Sequence, residues 1–454
     1  MRARVARLRN YVSSNGLGPY MVRATAGSSA VHLAGMLFTF LVGVQLARGL
    51  GVEGYGHYGI AMAVIAIASV PGEYGIPKLV VREVAAASAH DDRARIFGVL
   101  RWADKASWTI GAVTLAASIG LAVFLSKQAA SPAVSVILWG LAAVPLVAFA
   151  RSRGAALQGL HYVVLGQVPF NLLRPLVMSL LLVALFGWWP DAGAHEAMAL
   201  NVVTAAAALL LGELWLRSRL PGRPASIERA DRRWLASSVP MALADGIRIA
   251  HLQIAVLVLG ILATSEEVGL FRIAASIVVM VQVPVALMNR VTSPVLAKLH
   301  AEEDRQRLQK VCTHTAQVMA AAVIGLSLPF LVWGETLISF IFGQEFAPAY
   351  PAVVILCAGQ IGSASFGPNA TLLTMTGHER RVTRAMFIAL PVNLAIAALL
   401  APFLGSEGVA LAVIGSLLTW NVLMWLDAKR LLGVQTSLVP ARWGARGAPP
   451  NQAG

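Results

Sequence analysis

Charge is scarce in this chain. Only 13% of its 454 residues are Asp, Glu, Lys or Arg, where a soluble domain carries roughly 25%. Hydrophobic residues make up 57%. An apolar excess on that scale excludes a water-soluble globular domain, and lipid is the solvent. Acids are the scarcer sign, 22 against 36 Lys and Arg. Cysteine is nearly absent too. Cys312 and Cys357 lie in or beside apolar runs and match neither zinc spacing nor a disulfide framework, so they read as small core residues. Catalytic signatures are missing: the chain has no HExxH, no P-loop, no GxSxG and no His/Cys cluster at metal spacing. No cofactor is expected. Long polar segments are the last absence. No connection is long enough to fold as a separate domain, so function must lie between helices. A membrane polymerase or ligase would need a sizeable loop for its acceptor, which argues against that class of enzyme.

What the chain does have is long apolar runs. A membrane-spanning helix needs about 20 apolar residues. Runs of that length occur at 25–47, 57–77, 106–126, 132–151, 163–187, 195–216, 235–262, 268–290, 313–333, 350–374, 383–404 and 407–427. Twelve spans are expected. Between the ninth and tenth, residues 335–347 begin "ETLISFIFGQEF", itself apolar, which reads as an interfacial helix or an extension of a span. The N-terminus, MRARVARLRN, is basic, but the run from Thr25 to Ala47 is long enough to span and no small-residue cleavage site follows it. It is expected to be a retained helix and not a signal peptide.

Lys and Arg set the orientation. A cytoplasmic N-terminus places 30 of the 36 basic residues on the cytoplasmic side. Arg48 and Lys127 fall in periplasmic loops, and Arg174, Arg248, Arg272 and Arg290 fall within spans. The opposite orientation would put almost all the basic charge outside, against the positive-inside rule. A multi-pass protein of a bacterial inner membrane with both termini cytoplasmic is expected. The formal charge of +14 is thereby assigned to cytoplasmic loops. The most basic segment, "RSRLPGRPASIERADRRW" (217–234), has interleaved acids and reads as a charged linker, not a nucleic-acid surface.

The glycine-rich stretch "LARGLGVEGYG" (46–56) separates the first two spans and has a counterpart later. At an offset of 213 residues, "VEGYGHYGIA" (52–61) falls on "SEEVGLFRIA" (265–274). Glu53 meets Glu266, Gly56 meets Gly269, Tyr58 meets Phe271, and Val70-Pro71 meets Val283-Pro284. At an offset of 218, Gly159 falls on Gly377. Matches in order at equivalent places indicate a repeat, and six spans per copy keep the copies parallel. The fold expected is an all-α polytopic membrane protein with twelve transmembrane helices in two parallel six-helix lobes. A basic N-terminus covers 1–24, the lobes cover 25–216 and 235–430, the linker 217–234, and a C-terminal tail 431–454. The glycines are expected to close a short periplasmic hairpin, since Gly accepts positive φ at little cost.

These residues resemble the oligosaccharide flippases, the Wzx-type branch of the multidrug/oligosaccharidyl-lipid/polysaccharide exporter superfamily. "LARGLGVEGYGHYGIAMAV" (46–64) is similar to that family's first hairpin, and "REVA" (82–85) to its continuation after the second helix. "FGQEFAPAYPAVVILCAGQ" (342–360) is similar to the start of its tenth helix, and "MTGHERR" (375–381) to the turn that follows. The resemblance covers the whole chain. It implies a central cavity between the lobes that opens alternately to each side, and a cargo of undecaprenyl-pyrophosphate-linked sugar repeat units for O-antigen, capsule or exopolysaccharide. The lipid II flippases of the superfamily usually have fourteen spans. Its cation-coupled multidrug exporters share the helix count but usually lack this hairpin sequence. Proton or sodium coupling and a polysaccharide polymerase complex are candidate associations.

A charge in mid-bilayer costs roughly 2.5–3.5 kcal/mol on insertion scales and normally faces a bundle interior or a watery cavity. Arg174, in "FNLLRPLVM", has no acid within a helical turn and is bracketed by Pro169 and Pro175. It is the first candidate to bind substrate, either facing the cavity or bonded to carbonyls that the prolines free. Asp245 and Arg248 are three apart on one helix face. They either neutralise each other or offer Arg248 to the substrate. Asp245 corresponds through the repeat to His32, so each lobe places a polar group at that level. Glu73, beside Pro71 and Gly72, is a candidate for cation coupling or for pairing with Lys78 or an Arg across the bundle. Arg23, Arg272 and Arg290 lie near span ends, where long side chains snorkel, and are lesser candidates. Glu213 and Arg217 form an (i, i+4) pair of structural type. The mid-membrane excess is thus Arg. That suits a pyrophosphate, which guanidinium binds through paired donors, better than an organic cation.

Overall fold

The computed structural model describes residues 17–126, 132–220, 222, 224, 226–228 and 231–438. Those residues form helices, turns and short connections, with no strand among them. In chain order the helices are α1 (Leu17–Ala68), α2 (Ile76–Ser88), α3 (Arg93–Ser126), α4 (Pro132–Gly159), α5 (Val163–Val168), α6 (Arg174–Trp188) and α7 (Ala194–Arg217). They continue as α8 (Asp231–Leu262), α9 (Ser265–Val281), α10 (Val283–Ala301), α11 (Arg305–Phe342), α12 (Tyr350–Ser365), α13 (Asn369–Met375) and α14 (Glu379–Leu432).

Eight continuous stretches among the described residues are long and apolar enough to cross a membrane, and α8 adds a bent ninth. Two of the eight, Ala26–Ala68 with 43 residues and Glu379–Leu432 with 54, are about twice the length one crossing needs. Each is broken once, at a glycine. Gly51 has φ 65° and ψ 179°, and Gly405 has φ 51° and ψ −126°. Both conformations lie where a Cβ is strained. Each stretch therefore holds two of the expected spans, and α3 carries the third span at 106–126. The twelve-helix expectation follows. The glycine-rich hairpin is tighter than the sequence implied: only Gly51 takes positive φ, while Gly49, Gly54 and Gly56 are helical.

The uncertain segment 335–347 resolves as an extension of a span. Helix α11 runs on to Phe342 through a kink at Trp333, and a 3-10 turn, Gln344–Ala349, follows Gly343. Phe342 and Phe346 are fully buried, against Phe40 at 5.9 Å and Tyr55 at 6.1 Å between ring centroids. Arg48 donates to the carbonyls of Ile341, at 2.8 Å, and Phe340. It caps the otherwise unsatisfied last carbonyls of α11.

The chain forms two compact units. The first contains Met1–Ser276, Glu335–Ala352 and Leu394–Val413; the second contains Ile277–Gly334, Val353–Asn393 and Ile414–Gly454. In the first unit, α2, α3 and α4 enclose a core of Ile76, Leu79, Val84, Val99, Leu157 and Trp234. Trp234 is packed 6.2 Å from Trp102, and the Glu228 N–H donates to the Ala94 carbonyl at 3.1 Å. The charged linker is thus fastened to the start of α3. In the second unit, Leu296, Leu308, Cys312, Leu372 and Met424 form the core. There Gln309 exchanges hydrogen bonds of 2.7 and 2.5 Å with the main chain of Gln435. Both cysteines are free and buried, as small core residues should be. Large apolar side chains cover the outside; Phe403 is 82% exposed and Leu210 65%, which only a lipid surround makes stable.

Candidate functional site

Two short π-helical turns interrupt the helices of the first unit, Pro71–Gly75 before α2 and Pro169–Leu173 before α6. Proline explains both. It lacks an N–H, so the regular ladder fails there. The carbonyls of Pro71 and Pro169 are instead taken by the N–H groups of Ile76 and Arg174, five residues on. Such bulges turn side chains out of register and are frequent at functional sites.

The first turn carries Glu73; the second carries Phe170 and Asn171 and delivers Arg174. Arg151, on α4, lies between them. Its guanidinium donates to Asn171 Oδ1 at 2.9 Å and to Glu73 Oε2 at 3.4 Å. It stands 3.7 Å from the Phe170 ring centroid. The Arg174 guanidinium lies 4.6 Å from the same centroid and donates to Asn201 Oδ1 at 2.6 Å. Asn201, buried on α7, donates in turn to the Tyr58 hydroxyl at 2.8 Å. Two cations thus share one aromatic ring, a geometry worth about 0.5–2 kcal/mol per contact. Glu73 is the acid within electrostatic reach of Arg174.

A cavity of about 180 Å³ opens beside this cluster, with Glu73, Lys78, Arg151, Gln158, Phe170 and Asn171 among its lining residues. Cations outnumber acids in that lining, and Arg151 keeps a buried Nε with no hydrogen-bond partner. Donors that converge on a concave space with an excess of positive charge suit an oxyanion, which guanidinium and amide N–H groups bind directly.

Among the residues singled out in the sequence, Glu73 and Arg174 come together here. Arg272 lies on α9, with Nη1 3.4 Å from the Gly59 carbonyl and a buried Nε that lacks a partner. His32 is half-buried on α1, Arg248 exposed on α8 and Arg290 exposed on α10 of the second unit. The side chains of Arg23 and Asp245 lie outside the described residues. The Glu213–Arg217 pair forms at 2.6 Å and extends through Arg153 to Asp104. Sequence reasoning missed Arg151, Asn171, Asn201, Tyr58 and Phe170. Arg151 ends a span, where a charge reads as part of a cytoplasmic loop. Asn201, a lone amide in "MALNVVT", was the available signal.

The polysaccharide biosynthesis protein family model matches residues 21–300. No curated protein matches the chain significantly by sequence. Solved structures match over most of its length. An inward-facing multidrug resistance MATE transporter of the MOP superfamily superposes with a TM-score of 0.74 at 15% identity, over 88% of this chain and 95% of that one. The lipid II flippase MurJ, in an inward closed conformation, gives 0.66 at 11% identity, over 88% and 87%. A MOP superfamily transporter from Pyrococcus furiosus gives 0.63 at 16%, over 91% and 96%. Identities this low establish the fold alone: twelve transmembrane helices in two lobes.

Proposed function

The chain belongs to the polysaccharide biosynthesis protein family, and from that membership we propose that it is a flippase for lipid-linked oligosaccharide. In this reading it moves an undecaprenyl-pyrophosphate-linked repeat unit from the cytoplasmic to the periplasmic leaflet of a bacterial inner membrane. Both termini are cytoplasmic, and the lobes at 25–216 and 235–430 rock to give alternating access while the lipid tail stays in the bilayer. The observation that carries it is the pairing of Arg151 and Arg174 on Phe170 beside a cavity with excess positive lining. A pyrophosphate would exchange the loose 3.4 Å contact to Glu73 for charge-assisted bonds to Arg151, with Arg174 adding to the field. Arg248 is the candidate from the second lobe. A drug exporter for organic cations would need free acids, and Glu73 is engaged by Arg151.

The test is export in a strain lacking the native gene. Arg174→Ala should insert normally yet cut export of the lipid-linked sugar about tenfold or more, while Arg174→Lys recovers part of it, because Lys keeps the charge and loses the planar fork. Normal export by Arg174→Ala at normal membrane level would make Arg174 structural. Glu73 and Asp245 are the groups to couple a proton or sodium gradient; export unchanged after both gradients are collapsed would remove them from that role.

A further inference from the structure

The repeat offset reappears in space. Residues 52–59 of α1 cross residues 265–272 of α9, and the closest approaches are made by residues equivalent under the offset of 213. A Cβ placed on Gly56 would fall 1.7 Å from the Ser265 carbonyl oxygen, and one on Gly269 would fall 2.3 Å from the Val52 carbonyl oxygen. Gly56 is equivalent to Gly269, and Val52 to Ser265. The two contacts are therefore one contact made twice, as a two-fold axis requires. The self-equivalent pair, Gly59 and Arg272, meets on that axis: a Cβ on Gly59 would lie 2.2 Å from Arg272 Cδ, and Arg272 Nη1 reaches the Gly59 carbonyl at 3.4 Å.

We propose that this crossing is the gate that closes one face of the transport path and must part in each cycle. On the orientation given above, that face is periplasmic. The proposal rests on the alternating-access reading and assigns its moving contact. Two properties suit a gate better than a permanent seam. Backbone meets backbone across glycines, which gives a tight seal of the small-residue kind. The polar ties are also weak, since the Arg272 bond is long and its buried Nε has no partner. Arg48 supplies the latch. It is one of only two basic residues expected on that side, and it holds the end of α11 by the carbonyls of Phe340 and Ile341. Parting the lobes at this face would break that cap.

A cross-link tests it in a background with Cys312 and Cys357 replaced by Ala. A Cβ on Gly260 would stand 3.0 Å from Ile60 Cγ1, so in the pair Ile60→Cys, Gly260→Cys a sulfur can take the Cγ1 position and bond across. Oxidation should stop export and reductant restore it. Full export by the oxidised pair, when it exports normally reduced, overturns the gate. A second readout needs no cargo. A Met62→Cys reporter, one turn beyond Gly59, should react slowly with a membrane-impermeant thiol reagent added from the periplasmic side. Its labelling should rise several-fold with Gly56→Val or Arg48→Ala, and stay at the starting level with Gly43→Ala, whose Cβ would meet only the Tyr55 hydroxyl, at 3.8 Å. Unchanged labelling in both of the first two overturns the gate as well. If labelling rises in these variants while the unsubstituted protein exports no lipid-linked sugar, the gate stands and the cargo is overturned.

Discussion

Asn201 decides how Arg174 can exist in a bilayer. A buried guanidinium with no partner would cost several kcal/mol, and here it meets an amide oxygen at 2.6 Å and an aromatic ring. A neutral partner leaves the positive charge uncancelled for an incoming anion. Asn201→Leu removes the acceptor and should lower stability by about 1.5–3 kcal/mol, the worth of a hydrogen bond to a charge. Asn201→Asp should do the reverse, with a higher melting temperature in detergent and lower export, because the cation is then satisfied without cargo. Equal export by Asn201→Asp and the parent would count against the charge of Arg174 as part of the field that holds the anion. A second residue-scale test lies outside the membrane, at Glu83. Burial alone would push its carboxyl up, but hydrogen bonds and charge from Arg95, at 2.5 Å, and Arg82, at 3.0 Å, hold it below the usual carboxylate range. Its contribution is thus fully present above the unfolded-state value and is lost as pH falls through the lower folded-state value. The stability gap between the parent and Glu83→Gln should be about 1–3 kcal/mol near pH 7 and shrink toward pH 3. A gap independent of pH would refute the pairing. The sequence exposed Glu73 and Arg174 because a lone charge in an apolar run stands out. It hid Arg151, since a charge at a span end reads as loop, and it hid Tyr58, whose polar tip carries no such cost.

At the scale of elements, the breaks matter as much as the helices. Hydrophobic run length located the crossings, but it could not say that 17–68 is one helical stretch with a single bend, because every residue there except Gly51 accepts helical geometry. Nor could it separate the glycine that turns the chain from those that admit a neighbouring backbone: Gly51 does the first, Gly56 the second. Gly51→Ala should therefore cost about 1–3 kcal/mol as backbone strain, read as a lower melting temperature. Gly43→Ala, within a regular helical stretch, should hold or slightly raise stability. If the two behave alike, the bend is not set by the φ of Gly51. The π turns were half legible: Pro71 and Pro169 marked where the helices would be disturbed, while the side chains so re-aimed come from separate helices that only the fold brings together.

At the scale of the molecule, the sequence repeat and the compact units divide the chain differently, and the hairpins explain why. Residues 235–276, 335–352 and 394–413 follow the linker in sequence yet pack into the first unit, with the crossing at Gly56 and Gly269, the Arg48 cap and the 2.7 Å bond from the Ser406 N–H to Glu267 among the contacts inside it. A periodicity in sequence reports duplication, whereas contacts report one conformation, so the two need not agree. The same contacts sharpen the topology. Glu53 and Glu266 are equivalent under the repeat and both exposed, and the crossing puts their segments on one face. On the proposed orientation, which rests on the positive-inside asymmetry, that face is periplasmic. Single cysteines at Glu53 and Glu266, in a background without Cys312 and Cys357, should both be labelled from the periplasm by an impermeant reagent. Labelling of both from the cytoplasm alone would invert the orientation and with it the direction of transport. Labelling from opposite sides would be the more damaging result, because two parallel six-helix copies cannot place equivalent residues on different faces of the membrane.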